Sequence, residues 1–193
     1  MPRVPAVETL GVSHTLGARV RDTRLATSDV FGEPAVAEVL ARLDAPTRAV
    51  FSTEPVPGWV PETAFVRWME QLWDGPCQHD EVRFAAWADR VTDRGFGTAR
   101  RLIMGLASPW IILRRAGALW RTEHSHGDLT VTPLGDKSVR FELRDHPFTE
   151  TAISAAAISE AFRYIVFRCR VTWAKEHHEI TANQTLVTTL EWG

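Results

Sequence analysis

The sequence predicts an α+β fold: a helical layer packed on a four-stranded antiparallel sheet, with helix, hairpin, helix, hairpin in the C-terminal half. Three observations carry this. Between Ser108 and Val131 the apolar period changes: Trp110, Leu113, Gly117 and Trp120 recur at helical spacing, then Leu129 and Val131 alternate. Leu129-Thr-Val-Thr132 with Val139-Arg-Phe-Glu-Leu143, and Val171-Thr-Trp173 with Thr185 to Trp192, read as two strand pairs. Between them, Thr151 to about Arg168 is strongly helical, with Ile153, Ala156, Ala157, Ala161, Phe162, Ile165, Val166 and Cys169 on one wide stripe.

Taken in order, Val7 to Val20 reads as an extended or hairpin start, and Thr27-Ser-Asp29 as a helix cap. Ala35 to Leu43 is a short helix that Asp44-Ala-Pro46 interrupts. Phe51 to Pro61 is a loop. Pro61 then starts a helix with Glu62 in its first turn, where the helix dipole favours a carboxylate, and Phe65, Trp68, Met69 and Leu72 form its stripe. Glu81 to Arg94 is an Ala-rich helix, and Ala99 to Leu106 a short one. Ser108 and Pro109 cap one continuous amphipathic helix reaching Trp120, whose Trp110, Leu113 and Trp120 are expected to face the sheet. Lys175-Glu-His-His-Glu179 reads as a polar hairpin tip. With no repeats and no clear linker, residues 1–193 read as one domain, an N-terminal extension (1–45) packing on a core (46–193).

The 193 residues carry a net charge of -2, which excludes a global basic field for nucleic acid. The longest apolar runs are far too short to span a bilayer, so no membrane span is expected. Two isolated cysteines, Cys77 and Cys169, form neither a disulfide framework nor a thiolate zinc site, and a cytoplasmic location is the simplest expectation. Phosphate-binding loops, nucleophile elbows and His-Glu-x-x-His are absent from the sequence.

The densest group of ligand-type residues is Glu123, His124 and His126, but no complementary pair of ligands accompanies them, and dipole capping explains cationic histidines at a helix end. His177 and His178 are adjacent and point opposite ways on a strand, and Cys77-Gln-His79 lacks an orienting acid. No metal is therefore expected, His124 and His126 being the weak candidates. Arg100, Arg101, Arg114, Arg115 and Arg121 are a candidate basic strip for an acidic partner, against the alternative of a solvated helix face. Eight tryptophans supply a large core, and some are candidates for a pocket or an interface.

Several pieces together resemble a known family. They are Pro57-Gly-Trp59-Val-Pro61 with Phe65, Gly95-Phe-Gly97, Ser108-Pro-Trp110, Ala118-Leu-Trp120, Gly127-Asp-Leu-Thr-Val131, Leu143-Arg-Asp-His-Pro147 and Leu190-Glu-Trp192. The chain beyond about residue 45 resembles a paralogous family of unknown function found mainly in myxobacteria, DUF2378. That family is distantly similar to the superfamily of 4-vinyl-reductase-type, haem-NO-binding and TRAPP-like domains. The resemblance implies a helical layer on an antiparallel sheet, and either a small ligand in an apolar pocket or assembly into dimers. This sequence has neither the late Cys-rich segment of the first branch nor the Tyr-x-Ser-x-Arg of the haem branch, so no cofactor is expected.

The function so indicated is a non-catalytic regulatory or sensing module for a small apolar ligand or a partner protein. The alternatives are a structural dimerisation domain with a self-filled pocket and, further off, an enzyme. An open apolar cavity of roughly 300 Å³ or more separates the first from the second. Candidates for the pocket or interface are Trp59, Phe65, Trp68, Trp110, Leu113, Trp120, Phe162 and Trp173. A homodimer is expected, through the helix bearing Phe65, Trp68 and Trp73 and through the Ala85 to Val91 helix, unless residues 1–45 fold back over them.

Overall fold

The structure, a computed structural model, describes residues 12–53, 58–96 and 105–193. A short strand β1 (His14–Leu16) pairs antiparallel with β2 (Trp59–Pro61), and around this ribbon gather five helices: α1 (Ala18–Phe31), α2 (Glu33–Arg42), α3 (Ala45–Ser52), α4 (Thr63–Asp74) and α5 (Glu81–Gly95). Their apolar faces close one core around Val39, Phe51, Trp68, Leu72, Phe84 and Trp87.

Several N-terminal expectations change: Ala18 to Val20 open α1 instead of extending, Phe51 and Ser52 end α3, and Trp59–Pro61 is strand β2, with Glu62 at the N-cap of α4. Thr27 is not a cap but lies inside α1 and is fully buried. Its hydroxyl donates to the Thr23 carbonyl at 2.9 Å, which satisfies it within the helix, and accepts from the indole N–H groups of Trp68 and Trp87 at 3.3 and 3.0 Å. Asp44 does not merely break α2. Its carboxylate caps α3, accepting from the Thr47 N–H at 2.7 Å, and Pro46 sits in the first turn where its missing N–H costs nothing.

The C-terminal half runs α6 (Pro109–Leu113), α7 (Ala116–Glu123), β3 (Asp128–Gly135), β4 (Ser138–Arg144), a 3-10 turn (Pro147–Thr149), α8 (Ala152–Phe167), β5 (Ala174–Ile180) and β6 (Leu186–Trp192). The four strands are antiparallel in the order β3-β4-β6-β5. This is the expected α+β architecture, with its helix, hairpin, helix, hairpin layout. Phe141, Leu143, Leu186 and Leu190 point from the sheet into a second core, where the Phe141 and Phe162 rings stack at 4.3 Å.

The expected continuous helix from Pro109 to Trp120 is two helices, parted at Arg114 and Arg115. The break lets α7 lie close on β3: a Cβ on Gly117 would come 2.9 Å from the Leu129 carbonyl oxygen. Leu113 and Trp120 are buried as expected; Trp110 is half-buried, meeting Trp192 and donating its N–H to the Asp136 carbonyl at 2.9 Å. The Lys175 to Glu179 stretch is not a hairpin tip but strand β5 itself, shifted past the expected Val171 to Trp173. As the sheet's edge, it carries the charges that guard an edge against pairing. On α8 the fully buried residues are Ser154, Ala155, Ser159, Phe162 and Val166, whereas Ile153, Ala156, Ala157, Ala161 and Ile165 are half-buried. The expected helix from Ala99 lies mostly outside the described residues.

α5 and α8 join the two halves. The Arg163 guanidinium donates to both Asp89 carboxylate oxygens at 3.0 and 2.9 Å, and the Tyr164 hydroxyl to Asp93 at 2.8 Å. Leu143→Ala, at a fully buried position on β4, is expected to lower stability by about 2–5 kcal/mol. Urea unfolding measures this, and an unchanged midpoint contradicts the placement.

Candidate functional site

Two features meet where the halves meet: a buried carboxylate cluster and an apolar cavity. The cluster centres on Glu62, which follows β2 and opens α4, with no exposed surface. Its backbone N–H donates to the Ser13 carbonyl at 2.9 Å, so the β1–β2 ribbon fixes where the side chain enters. The Ser13 hydroxyl donates to Oε2, and His124 Nδ1 hydrogen-bonds Oε1. His146 Nε2 lies 2.5 Å from Oε2.

Local backbone chemistry positions each partner. His124 ends α7 in extended conformation and bridges to Thr15 of β1. That junction is closed by the Ser125 N–H donating to the His14 carbonyl at 2.8 Å and by the Arg19–Glu123 ion pair. Trp120 stacks flat on His124 at 3.9 Å. His146 is turned inward by Asp145, whose φ of 52° lies in the left-handed region that aspartate tolerates better than most side chains. Gly127, at φ 88°, passes so close that a Cβ there would meet the His146 ring at 2.8 Å and the Trp120 indole nitrogen at 3.0 Å. Glycine is the residue this approach permits.

Burial by itself would raise the Glu62 pKa. Hydrogen bonds and charge interactions with His124 and His146 overcome it and hold the carboxyl down at about 2. Burial is also the largest influence on His146, lowering its pKa against the opposing pull of Glu62. The His146 tautomer follows from its other nitrogen, Nδ1, which accepts the Phe148 N–H at 3.2 Å. In the neutral ring the proton is therefore on Nε2, facing Glu62, although its direction is not that of a well-formed hydrogen bond.

Glu62, His124 and His146 place three donor atoms within 4.8 Å of one another, the composition of a His₂–carboxylate metal site. The His146 tautomer opposes that use, because a protonated Nε2 has no lone pair for a metal while Nδ1 serves as a backbone acceptor. The arrangement as built is a carboxylate surrounded by donors. His126, paired with His124 in the sequence reading, is exposed and turned to the Ser125 hydroxyl at 2.8 Å.

The cavity, of about 250 Å³, lies between α1, α4 and α5 on one side and α6, α7, α8 and the sheet on the other. Phe65, Met69, Trp87, Ile112, Leu113, Leu119, Trp120, Phe141, Phe148, Ala161 and Phe162 give it an apolar wall, and His124 lines it too. Of the sequence candidates, Phe65, Leu113, Trp120 and Phe162 meet here. Trp68 does not, being buried in the helical core. Trp59 is half-buried, its indole nitrogen unbonded, and Trp173 lies on the surface. Trp110 lines a separate open groove with Leu113, Arg114 and Arg121. Asp128 and Asp136 share that groove, so the two arginines form no single-sign strip. Arg115 is exposed, and Arg100 and Arg101 lie outside the described residues. Glu62 and His146 were absent from the sequence candidates. Each looked like a local feature, a first-turn acid and a loop histidine, and neither showed that the other was near.

The dyad of Glu62 and His124 has the form of a general base with its orienting acid. Among the described residues no hydroxyl or thiol is hydrogen-bonded to His124 Nε2: the Ser13 hydroxyl donates to Glu62, and the Ser154 hydroxyl is shared between the Phe148 and Thr151 carbonyls, both at 3.1 Å. Burial pushes the Cys77 thiol up to about 12 and that of Cys169 to about 11, and neither lines the cavity.

The chain matches no family model and no curated protein. It is similar in fold to solved H-NOX proteins. An Fe(II) unliganded H-NOX protein from K. algicida superposes with a TM-score of 0.66 at 8% identity, over 92% of this chain and 96% of that one. A mutant H-NOX protein from S. oneidensis in the Fe(II) ligation state gives 0.66 at 7%, over 92% and 96%. An oxygen-binding H-NOX domain related to soluble guanylate cyclases gives 0.59 at 9%, over 91% and 94%. These likenesses establish the fold.

Acid stability tests the cluster. The depressed Glu62 pKa adds stability that is present above its ordinary 4.5 and lost as pH falls towards about 2. His146, also depressed, acts with the same sign, its contribution declining below its ordinary 6.5. Glu62→Gln is expected to destabilise the protein by about 3–5 kcal/mol near neutrality and to flatten the loss between pH 5 and about 2. Urea melts across that range measure it, and parallel pH profiles contradict the assignment. Zinc in excess is expected to leave the thermal midpoint unmoved; a saturable rise contradicts the His146 tautomer.

Proposed function

We propose that this chain is a non-catalytic sensing or regulatory module whose input is a small apolar ligand held in the cavity between its two halves. The observation that carries this reading is the cavity itself. Its volume of about 250 Å³ falls a little under the roughly 300 Å³ at which drug-sized pockets begin, yet an apolar cavity of about 150 Å³ takes up benzene. The space suits a ligand smaller than a drug. The H-NOX fold supports a sensing role, and the lack, among the described residues, of a hydroxyl or thiol bonded to His124 Nε2 supports a non-catalytic one. Membership of the myxobacterial family suggested by the sequence motifs is part of the same proposal.

A haem does not fit the residues present. A tetrapyrrole exceeds the cavity, and its two carboxylates need cations. Among the described lining residues Arg19 is the only cation, and it is already paired with Glu123. The input we propose is therefore taken up without haem.

The partner is the less defined part of the proposal. No helix among the described residues is long and apolar enough to cross a membrane, and the buried free cysteines suit a reducing cytoplasm. Of the homodimer surfaces suggested by the sequence, the α4 one is occupied internally, Phe65 and Trp68 being buried beneath the N-terminal helices and Trp73 packing on Phe84; on α5, Trp87 and Ala88 are buried and Ala86 is exposed. A homodimer would use other apolar residues, among which Ile111 on α6 and Leu119 on α7 are exposed. Light scattering near 21.7 kDa at micromolar concentration rules it out.

Cavity filling tests the ligand reading. Ala161→Phe, on the α8 wall, is expected to abolish saturable thermal shifts from small apolar compounds while the variant stays as stable as wild type or gains about 0.5–2 kcal/mol. If native mass spectrometry of wild type finds no bound molecule and no compound shifts its melt, the module is a scaffold.

A further inference from the structure

The polar groups on the cavity wall are nearly all committed. Glu123 holds Arg19, the Thr15 hydroxyl donates to the Glu123 carbonyl at 3.0 Å, and the Thr92 hydroxyl to the Ala88 carbonyl at 2.8 Å. Ser154 is bonded as described. Among the described residues the Thr23 hydroxyl and His124 Nε2 remain without a hydrogen bond. A hydroxyl rotates to donate or accept, so Thr23 selects nothing. His124 is different. In its neutral form the ring gives Nδ1–H to the Glu62 carboxylate, and that tautomer presents a lone pair on Nε2, across the ring; Trp120 holds the ring plane by stacking.

We propose that the ligand of this cavity is a small uncharged apolar molecule carrying one hydroxyl group, whose O–H donates to His124 Nε2. This rests on the reading of the cavity as a ligand site. The size and the electrostatics narrow the class. About 250 Å³ accommodates roughly six to eight carbons, given that benzene occupies a cavity of about 150 Å³. An anionic head group would face an acceptor nitrogen one ring away from the buried Glu62 carboxylate, which Ser13, His124 and His146 keep charged. An ammonium would lose its hydration against an apolar wall, where the one lining carboxylate, Glu123, is already paired. An amide would bring a carbonyl and a second N–H for which the wall offers only Thr23. A hydroxyl brings the one donor that the site lacks.

The test compares hexan-1-ol with its isomer pentyl methyl ether, which has the same atoms but no donor, and with hexanoate and hexylammonium. Each is titrated by calorimetry into wild type and into His124→Phe, which retains a ring to stack on Trp120 but has no acceptor. In wild type the alcohol is expected to bind roughly tenfold tighter than the ether. In His124→Phe that preference should shrink to within about twofold. Equal binding of alcohol and ether in wild type overturns the hydroxyl inference and leaves the pocket intact; tighter binding of either charged compound overturns it as well. Failure of all four to bind removes the pocket reading itself. If His124→Phe does not fold, the His124 Nε2 nitrogen shift in wild type decides: it must move with the alcohol and stay with the ether.

Discussion

A fully buried carboxylate is costly unless donors surround it, and that constraint organises this molecule. Glu62 is met from three places far apart in the chain: Ser13 before β1 and His124 at the end of α7 hydrogen-bond it, and His146 in the turn after β4 brings Nε2 against it. Removing any one leaves charge without compensation. The β1–β2 ribbon, the left-handed Asp145 and the close-passing Gly127 place the residues of this convergence.

The same convergence defines the cavity. Two cores form separately, one among the N-terminal helices and one between the sheet and α8. They touch through α5 and α8, where Arg163 and Tyr164 reach Asp89 and Asp93. They touch again at the Glu62 cluster. Between these two joints the apolar faces stand apart, and side chains such as Ala157 and Ala161 are too small to fill the gap. A ligand there contacts both halves at once, so its binding free energy acts directly on how they are joined.

The fold resembles that of H-NOX proteins, while the cavity chemistry is its own. A fold supplies a place for a site, and the residues lining the place decide what enters. Here aromatic and aliphatic side chains form the wall, with the His124 ring among them and the buried Glu62 carboxylate behind it.

Much of the architecture was legible in the residues, because period and punctuation are local signals. The alternation of Leu129 to Val131 against Val139 to Leu143, the Thr151-capped helix and the Phe65, Trp68, Leu72 stripe of α4 are each set by neighbours a few residues apart. Where local signals conflict with long-range packing, packing won: Thr27 looked like a cap and became an interior helical residue because two tryptophans needed an acceptor. The polar Lys175 to Glu179 looked like a turn and became an edge strand because β6 pairs with it. The site was the least legible part. Phe65, Leu113, Trp120 and Phe162 announced themselves as apolar candidates, but nothing local distinguishes a residue that lines a cavity from one that fills a core. Glu62 and His146 stand 84 positions apart in the chain, and the carboxylate reads as an ordinary helix-opening acid until tertiary folding buries it. The sequence by itself determined the α4 and α8 stripes and the pairing of β3 with β4. Only the tertiary structure brought Ser13, Glu62, His124 and His146 together, since burial and charge compensation are properties of space rather than of sequence neighbourhood.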